Sequence, residues 1–254
     1  MTLRALALLV VALASASAHA PGEPARREMH SAASLAPAAR RAAESARRAA
    51  RTAVSSEAVF EALSWSPGET RRELATKAAG TYIGEMLSAQ DSSLARWPNR
   101  RDRPLRVWVQ RPAHLPTWDP GHVEQVRGAF GEWAAVGIPV PFTFGADSAS
   151  ADVHVTWVER FAEQISGKTV WARNDSWWIV DGDITIALRH SGGEPLDGAA
   201  IRAIALHEVG HLLGLDHTAD PSNIMAPRVR VRDLSPSDRA TMRLLYELPA
   251  GRIR

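Results

Sequence analysis

His207-Glu208-Val209-Gly210-His211-Leu212-Leu213-Gly214-Leu215-Asp216-His217 is the stretch on which the reading of this chain turns. It supplies three imidazoles and one carboxylate. His207 and His211 are four residues apart, so a helix places both rings on one face, one turn apart. Two neutral imidazoles so placed can share one Zn²⁺ at about 2.0–2.1 Å each. Glu208 flanks such a metal without ligating it, which suits a general base acting on a zinc-bound water. Gly214 can take positive φ, end the helix and turn the chain back, so that His217 returns as a third ligand. Three protein ligands leave a fourth position open, the mark of a catalytic rather than a structural zinc site. The five-residue core H-E-x-x-H alone also suits an ordinary exposed helical segment. The extended pattern fixes five positions, and chance explains it poorly.

Two further pieces lie downstream. Ser222-Asn223-Ile224-Met225 follows the third histidine after a short polar link, with Pro227 close behind. Leu234-Ser235-Pro236-Ser237-Asp238 then opens a helix through Met242, Leu244 and Leu245 to Tyr246. With these in place, residues 207–246 resemble the metzincin metalloproteases, and among them the matrixins; a weaker pattern match reaches back to about 104. The resemblance implies a zincin catalytic domain, a secreted zinc-dependent endopeptidase acting on protein or peptide substrates, and Met225 as the hydrophobic floor of the metal site. It implies metal ligands His207, His211 and His217 and a catalytic Glu208. The chain departs from the family pattern in three places. It has no cysteine, so a cysteine-based block of zinc is excluded. The His/Asp-rich loop that holds a second zinc in the family has no counterpart, since His154 and His190 are the only histidines between 123 and 206. Val229 stands where a tyrosine commonly lines the specificity pocket.

At 254 residues the chain has room for one good-sized domain and an extension. Residues 1–20 read as a signal peptide: Arg4, a short apolar run from Leu6 to Leu13, then small residues with cleavage sites at Ala16-Ser17-Ala18 and Ala18-His19-Ala20. That run is too short for a stable membrane anchor, so the expectation is export, to a secreted or periplasmic location. Charge separates the rest. Residues 21–103 carry a balance of +4 and residues 104–254 one of −3. The basic half lacks interleaved aromatics or a known module, so it reads as a solvated helical face and not as a nucleic-acid surface. Nothing in the sequence sets the oligomeric state.

The expected organisation is a helical segment at 21–103, with the role of a pro-segment open to it, followed by a catalytic domain at 104–254. Within the first, Ala38 to Val54 is Ala/Arg-rich, and Val59, Phe60 and Leu63 follow helical spacing. Ser66-Pro67-Gly68-Glu69 starts a helix that runs to about Ala89, with Leu74, Ala78, Tyr82 and Met86 on its apolar face. Trp97-Pro98-Asn99-Arg100-Arg101 reads as a polar link. From Pro104 the pattern predicts α+β structure. Leu105–Val109, 140–144 and 153–158 are strands. A helix opened by Asp119-Pro120 carries Val123, Val126, Phe130 and Trp133 and ends at Gly137. Two strands, 177–180 and 184–188, are joined by an Asp181-Gly182-Asp183 turn. The metal helix follows Asp197-Gly198, and Ser235 and Asp238 cap the last helix. That order matches, by resemblance, the twisted mixed sheet of a matrixin.

Other residues carry weaker readings. Asp216 is a candidate for orienting the turn or a ligand ring, with a solvated acid as the equal alternative. Asp175, Asp181 and Asp183 form a Ca²⁺ candidate set, with a solvated acidic loop as the plainer reading. His154 and His190 are read as surface residues. Trp171, Trp177 and Trp178 are placed near the substrate cleft. Asp91, Asp102 and His30 are the candidates for a pro-segment ligand that blocks the metal. The competing function is a zincin-fold binding or structural protein whose metal site is filled but not used for hydrolysis. An intact Glu208 argues against it.

Overall fold

The computed structural model describes the backbone of Ala7–Ala12 and residues 66–253. The expected helix at 38–54, the apolar residues at 59–63, His30 and the signal-cleavage sites lie outside the described residues. A six-stranded mixed sheet forms one layer, in the order β1-β6-β7-β5-β3-β4. Its strands are β1 (Ala7–Ala12), β3 (Leu105–Val109), β4 (Phe142–Gly145), β5 (Val153–Val158), β6 (Gly167–Arg173) and β7 (Ile179–Ala187). Pairings among β3, β4, β5 and β7 are parallel, while β6 runs antiparallel to β7. Helices α3 (Gly121–Ala134) and α4 (Gly198–Leu212) pack together over the sheet, and α4 lies directly against β6 and β7. The fold is α+β, as the order of elements predicts. Burial alternates along β5, with Val153, Val155 and Trp157 inward, the period a sheet with one covered face requires.

The metal helix α4 starts where Asp197 Oδ1 accepts the Ala200 N–H at 2.7 Å. Its sequence is apolar on nearly all sides, and everything from Ala203 to Leu212 is buried, as befits a central helix. Trp133 of α3 locks the two helices together by donating Nε1–H to the Leu206 carbonyl at 2.9 Å. The last helix, α5 (Pro236–Glu247), carries the expected capping box: Asp238 N donates to Ser235 Oγ, and Ser235 N to Asp238 Oδ2, both at 2.9 Å.

Three expectations need correction. Asp181-Gly182-Asp183 is not a turn. The chain runs straight through it as β7, because Gly182 faces α4 and a Cβ there would overlap Leu212 Cδ1. The glycine serves close helix–sheet approach, not chain reversal. The helix from Ser66 does not continue to Ala89. It divides into α1 (Pro67–Lys77) and α2 (Ile83–Ala89), with Gly80 at φ +75° between them. Finally, residues 82–97 are not a separate helical segment. Tyr82, Ile83, Met86, Leu94 and Trp97 are buried in the same core as α4 and α5. Ser93–Leu94 (β2) pairs with Gly251–Arg252 (β8) at the far end of the chain. Trp97, expected in a polar link, is 1% exposed and donates Nε1–H to the Leu212 carbonyl at 2.9 Å. Residues 82–97 thus pack into the same core as the elements after 104.

Candidate metal centre

Two of the three histidines share one helix and the third returns on the loop that follows it. His207 and His211 sit on α4. At its end Gly214 takes φ +106°, and a Cβ there would overlap the Ala95 carbonyl oxygen. Glycine is thus required twice over, for conformation and for space. The returning loop is tied down from both sides. Asp216 Oδ1 accepts the His217 N–H at 2.8 Å, and Asp216 Oδ2 accepts from Gln90 at 3.1 Å. Glu85 of α2 accepts from Thr218 Oγ1 at 3.2 Å and from Ala219 N at 2.8 Å. Asp216 thereby ties the turn to α2.

The imidazoles converge through their Nε2 atoms. His211 Nε2 lies 3.0 Å from His207 Nε2 and 3.2 Å from His217 Nε2. Tetrahedral zinc with bonds of about 2.0–2.1 Å spaces its ligand atoms about 3.3 Å apart, so these separations fit one ion. The tautomers fit as well. His207 Nδ1 donates to the Ile224 carbonyl at 2.7 Å and His211 Nδ1 to the Leu215 carbonyl at 2.9 Å. Each Nε2 is then left with a lone pair. Two lone pairs facing one another at 3.0 Å repel unless a cation stands between them. Burial lowers all three histidine pKa values, His207 to about 4, and so keeps the rings neutral and ready to bind a metal.

The floor and outer supports are equally specific. Met225 is fully buried, and its Sδ occupies the space a Cβ on Gly210 would need, one residue before His211. Asp238, read from sequence only as a helix cap, also accepts the Ile224 N–H at 2.9 Å and the Tyr82 hydroxyl at 3.2 Å. A single carboxylate thus joins α2, the start of α5 and the residue that holds the His207 ring. Glu208 points toward β6, where Thr169 Oγ1 lies 2.6 Å from Oε2. Glu208 Oε1 is buried without a hydrogen-bond partner. Burial raises the Glu208 pKa to about 8, against the lowering effect of Thr169.

Among the described residues, His207, His211 and His217 are the group of three or more ligand side chains close enough to hold a metal. The calcium candidates Asp175, Asp181 and Asp183 are not gathered in this way. Asp183 instead accepts from His154 Nδ1 at 3.1 Å, which raises that histidine's pKa, and His154 Nε2 meets the Ser148 carbonyl at 2.9 Å. His154 is thus a half-buried strand residue with partners. Asp91, a candidate blocking ligand, pairs with Arg252 at 2.6 Å. Trp171 and Trp178 belong to the buried structure, Trp178 beneath the Arg96 guanidinium. Trp177 is held at φ +65° with the Arg173 guanidinium stacked on its ring at 3.6 Å.

Sequence comparison decides the family of this centre. Residues 116–247 match the matrixin model of peptidase family M10. The chain belongs to the matrixin family. Proteins similar to it include Metalloendoproteinase 1-MMP of Arabidopsis thaliana, 32% identical over 142 residues, which cover 47% of this chain and 36% of that protein. Metalloendoproteinase 1 of Glycine max is 36% identical over 77 residues, 28% of this chain and 23% of the relative. Matrilysin of Felis catus is 43% identical over 54 residues, 19% and 21% respectively. The chain thus spans well under half the length of these relatives. Matrixins are zinc proteins, and the three-histidine group has the donors and spacing such an ion needs.

Proposed function

We propose that the chain is a zinc endopeptidase that hydrolyses peptide bonds in protein substrates. The observation that carries this reading is the convergence of three histidine Nε2 atoms at a helix that also carries a buried carboxyl with one oxygen unpartnered. His207, His211 and His217 would hold the metal, and Glu208 would serve as base. Zinc, when bound, supplies the positive charge that acidifies water and polarises the scissile carbonyl. Glu208 Oε1 takes the proton of the attacking water and delivers it to the departing amine. Its pKa of about 8 is high for a carboxyl and lies near the range useful to a base at neutral pH, and a neighbouring dication pulls it lower.

The substrate's place is suggested by β1. Ala7–Ala12 adds to the outer edge of β6 as an antiparallel strand, with Val11 opposite Thr169 and Ala12 opposite Lys168. That edge accepts an extended chain through main-chain hydrogen bonds, the mode by which a peptide joins a sheet. Thr169, on the same strand, touches Glu208, so a peptide laid along β6 passes beside the base. Export through residues 1–20 belongs to the same proposal; among the described residues no helix is long and apolar enough to cross a membrane. An inhibitory pro-segment, if residues 21–103 supply one, is assigned to the part before Tyr82, because α2 supports the His217 loop. A non-hydrolytic zincin gives no reason to bury a carboxyl with an unpartnered oxygen between the metal helix and β6.

Casein digestion tests the reading. The purified chain should cleave casein, lose activity on treatment with 1,10-phenanthroline, and regain it on addition of zinc. Cleavage indifferent to the chelator, or none by a zinc-loaded protein, overturns it.

A further inference from the structure

Glu208 leaves α4 toward β6 and lands on two residues of that strand, Gly167 and Thr169. They are two apart and therefore share a face. Both are buried. A Cβ on Gly167 would overlap Glu208 Oε1 and Cγ, so only glycine leaves room for the carboxyl. Thr169 is fully buried, and its Oγ1 lies 2.6 Å from Glu208 Oε2 and 3.0 Å from the Glu208 backbone carbonyl. A hydroxyl has one proton to give. The shorter contact, to an oxygen that is charged when Glu208 acts as base, is the stronger claim on it. Glu208 Oε2 is thereby occupied, while Oε1 has no partner.

We propose that Thr169 is the positioning residue for the base: its hydroxyl holds Glu208 Oε2, while the bare backbone of Gly167 gives Oε1 the room in which it meets the attacking water. The inference rests on the endopeptidase reading above and divides the labour between the two oxygens. Without the hydroxyl the carboxyl has nothing on β6 to fix its torsion, and either oxygen can swing toward the histidines. Substrate binding along the β6 edge uses main-chain groups and does not need the hydroxyl.

The test compares Thr169→Val, Thr169→Ala and Thr169→Ser in the full chain, with zinc content, kcat and KM measured on a peptide substrate. Removing one hydrogen bond to a charged group should lower kcat about ten- to a hundredfold, with KM and zinc content close to wild type. Thr169→Ser should restore most of kcat, because it keeps the proton donor and loses only a methyl. If Thr169→Val does not fold, the Ala and Ser variants carry the comparison, since the hydroxyl alone separates them. Wild-type kcat in the variants lacking the hydroxyl overturns the proposal. So does an equal loss of kcat and zinc in Ala and Ser, which marks a merely structural residue. A zinc-loaded wild-type chain with no hydrolysis overturns the endopeptidase reading and this inference with it, whereas an active wild type beside unaffected variants overturns the inference alone.

Discussion

Deleting everything before Pro104 should destroy the fold rather than release an active catalytic domain. The deletion removes Tyr82, Ile83, Met86, Leu94 and Trp97, each at most 3% exposed. At about 1.5–3 kcal/mol for each large buried side chain, the loss is about 8–15 kcal/mol. That equals the whole stability of a typical domain, about 5–15 kcal/mol. Hydrogen bonds go as well: Trp97 to the Leu212 carbonyl, Tyr82 to Asp238, and Glu85 and Gln90 to the loop carrying His217. The assay is thermal unfolding by circular dichroism, with zinc content, on chains beginning at residues 66 and 104. The longer should melt cooperatively and bind one zinc; the shorter should be insoluble or lack a transition. A chain starting at 104 with the melting temperature and zinc content of the longer one would refute the assignment of residues 82–97 to the core.

Two other perturbations follow from the geometry. Gly214→Ala should cost several kcal/mol, since the new Cβ meets the Ala95 carbonyl oxygen and the residue sits at φ +106°; chemical denaturation and zinc content should both report the damage. In metal-free protein the buried groups oppose one another with pH. The Glu208 pKa is raised from 4.5 to about 8, so folding takes up a proton between those values and stability rises as pH falls from 8. The three histidines have pKa values lowered from 6.5, so unfolding takes up protons below 6.5 and stability falls there. Three histidines outweigh one carboxyl, and their joint contribution should peak near pH 6.5 in urea titrations of chelated protein. A contribution still rising steadily from pH 6 to pH 4 would contradict this.

What could be read from the sequence was whatever has a local signature. The histidine spacing, the Gly214 turn and the Ser66 and Ser235 caps depend on neighbours within a few residues, and all appear as expected. The misreadings involve distant partners. Asp181-Gly182-Asp183 has the composition of a turn, but Leu212, thirty positions on, sets its geometry. Trp97-Pro98-Asn99-Arg100-Arg101 looks like a linker because its polar residues outnumber the one tryptophan that anchors it. The charge contrast at residue 103 reports the surface, whereas domain limits follow the core. Thr169 belongs to β6, where Gly167, Thr169 and Trp171 alternate inward along a half-covered strand. Even so, nothing local marks a mid-strand threonine as the partner of a glutamate 39 positions away.

The central claim, three histidines for the metal and a separate carboxyl for the proton, is tested most directly by Glu208→Ala assayed for zinc and for casein hydrolysis together. His207, His211 and His217 keep their backbone supports in that variant, so zinc should remain at one per chain while hydrolysis is lost. Full hydrolysis by a zinc-loaded Glu208→Ala chain would contradict the account.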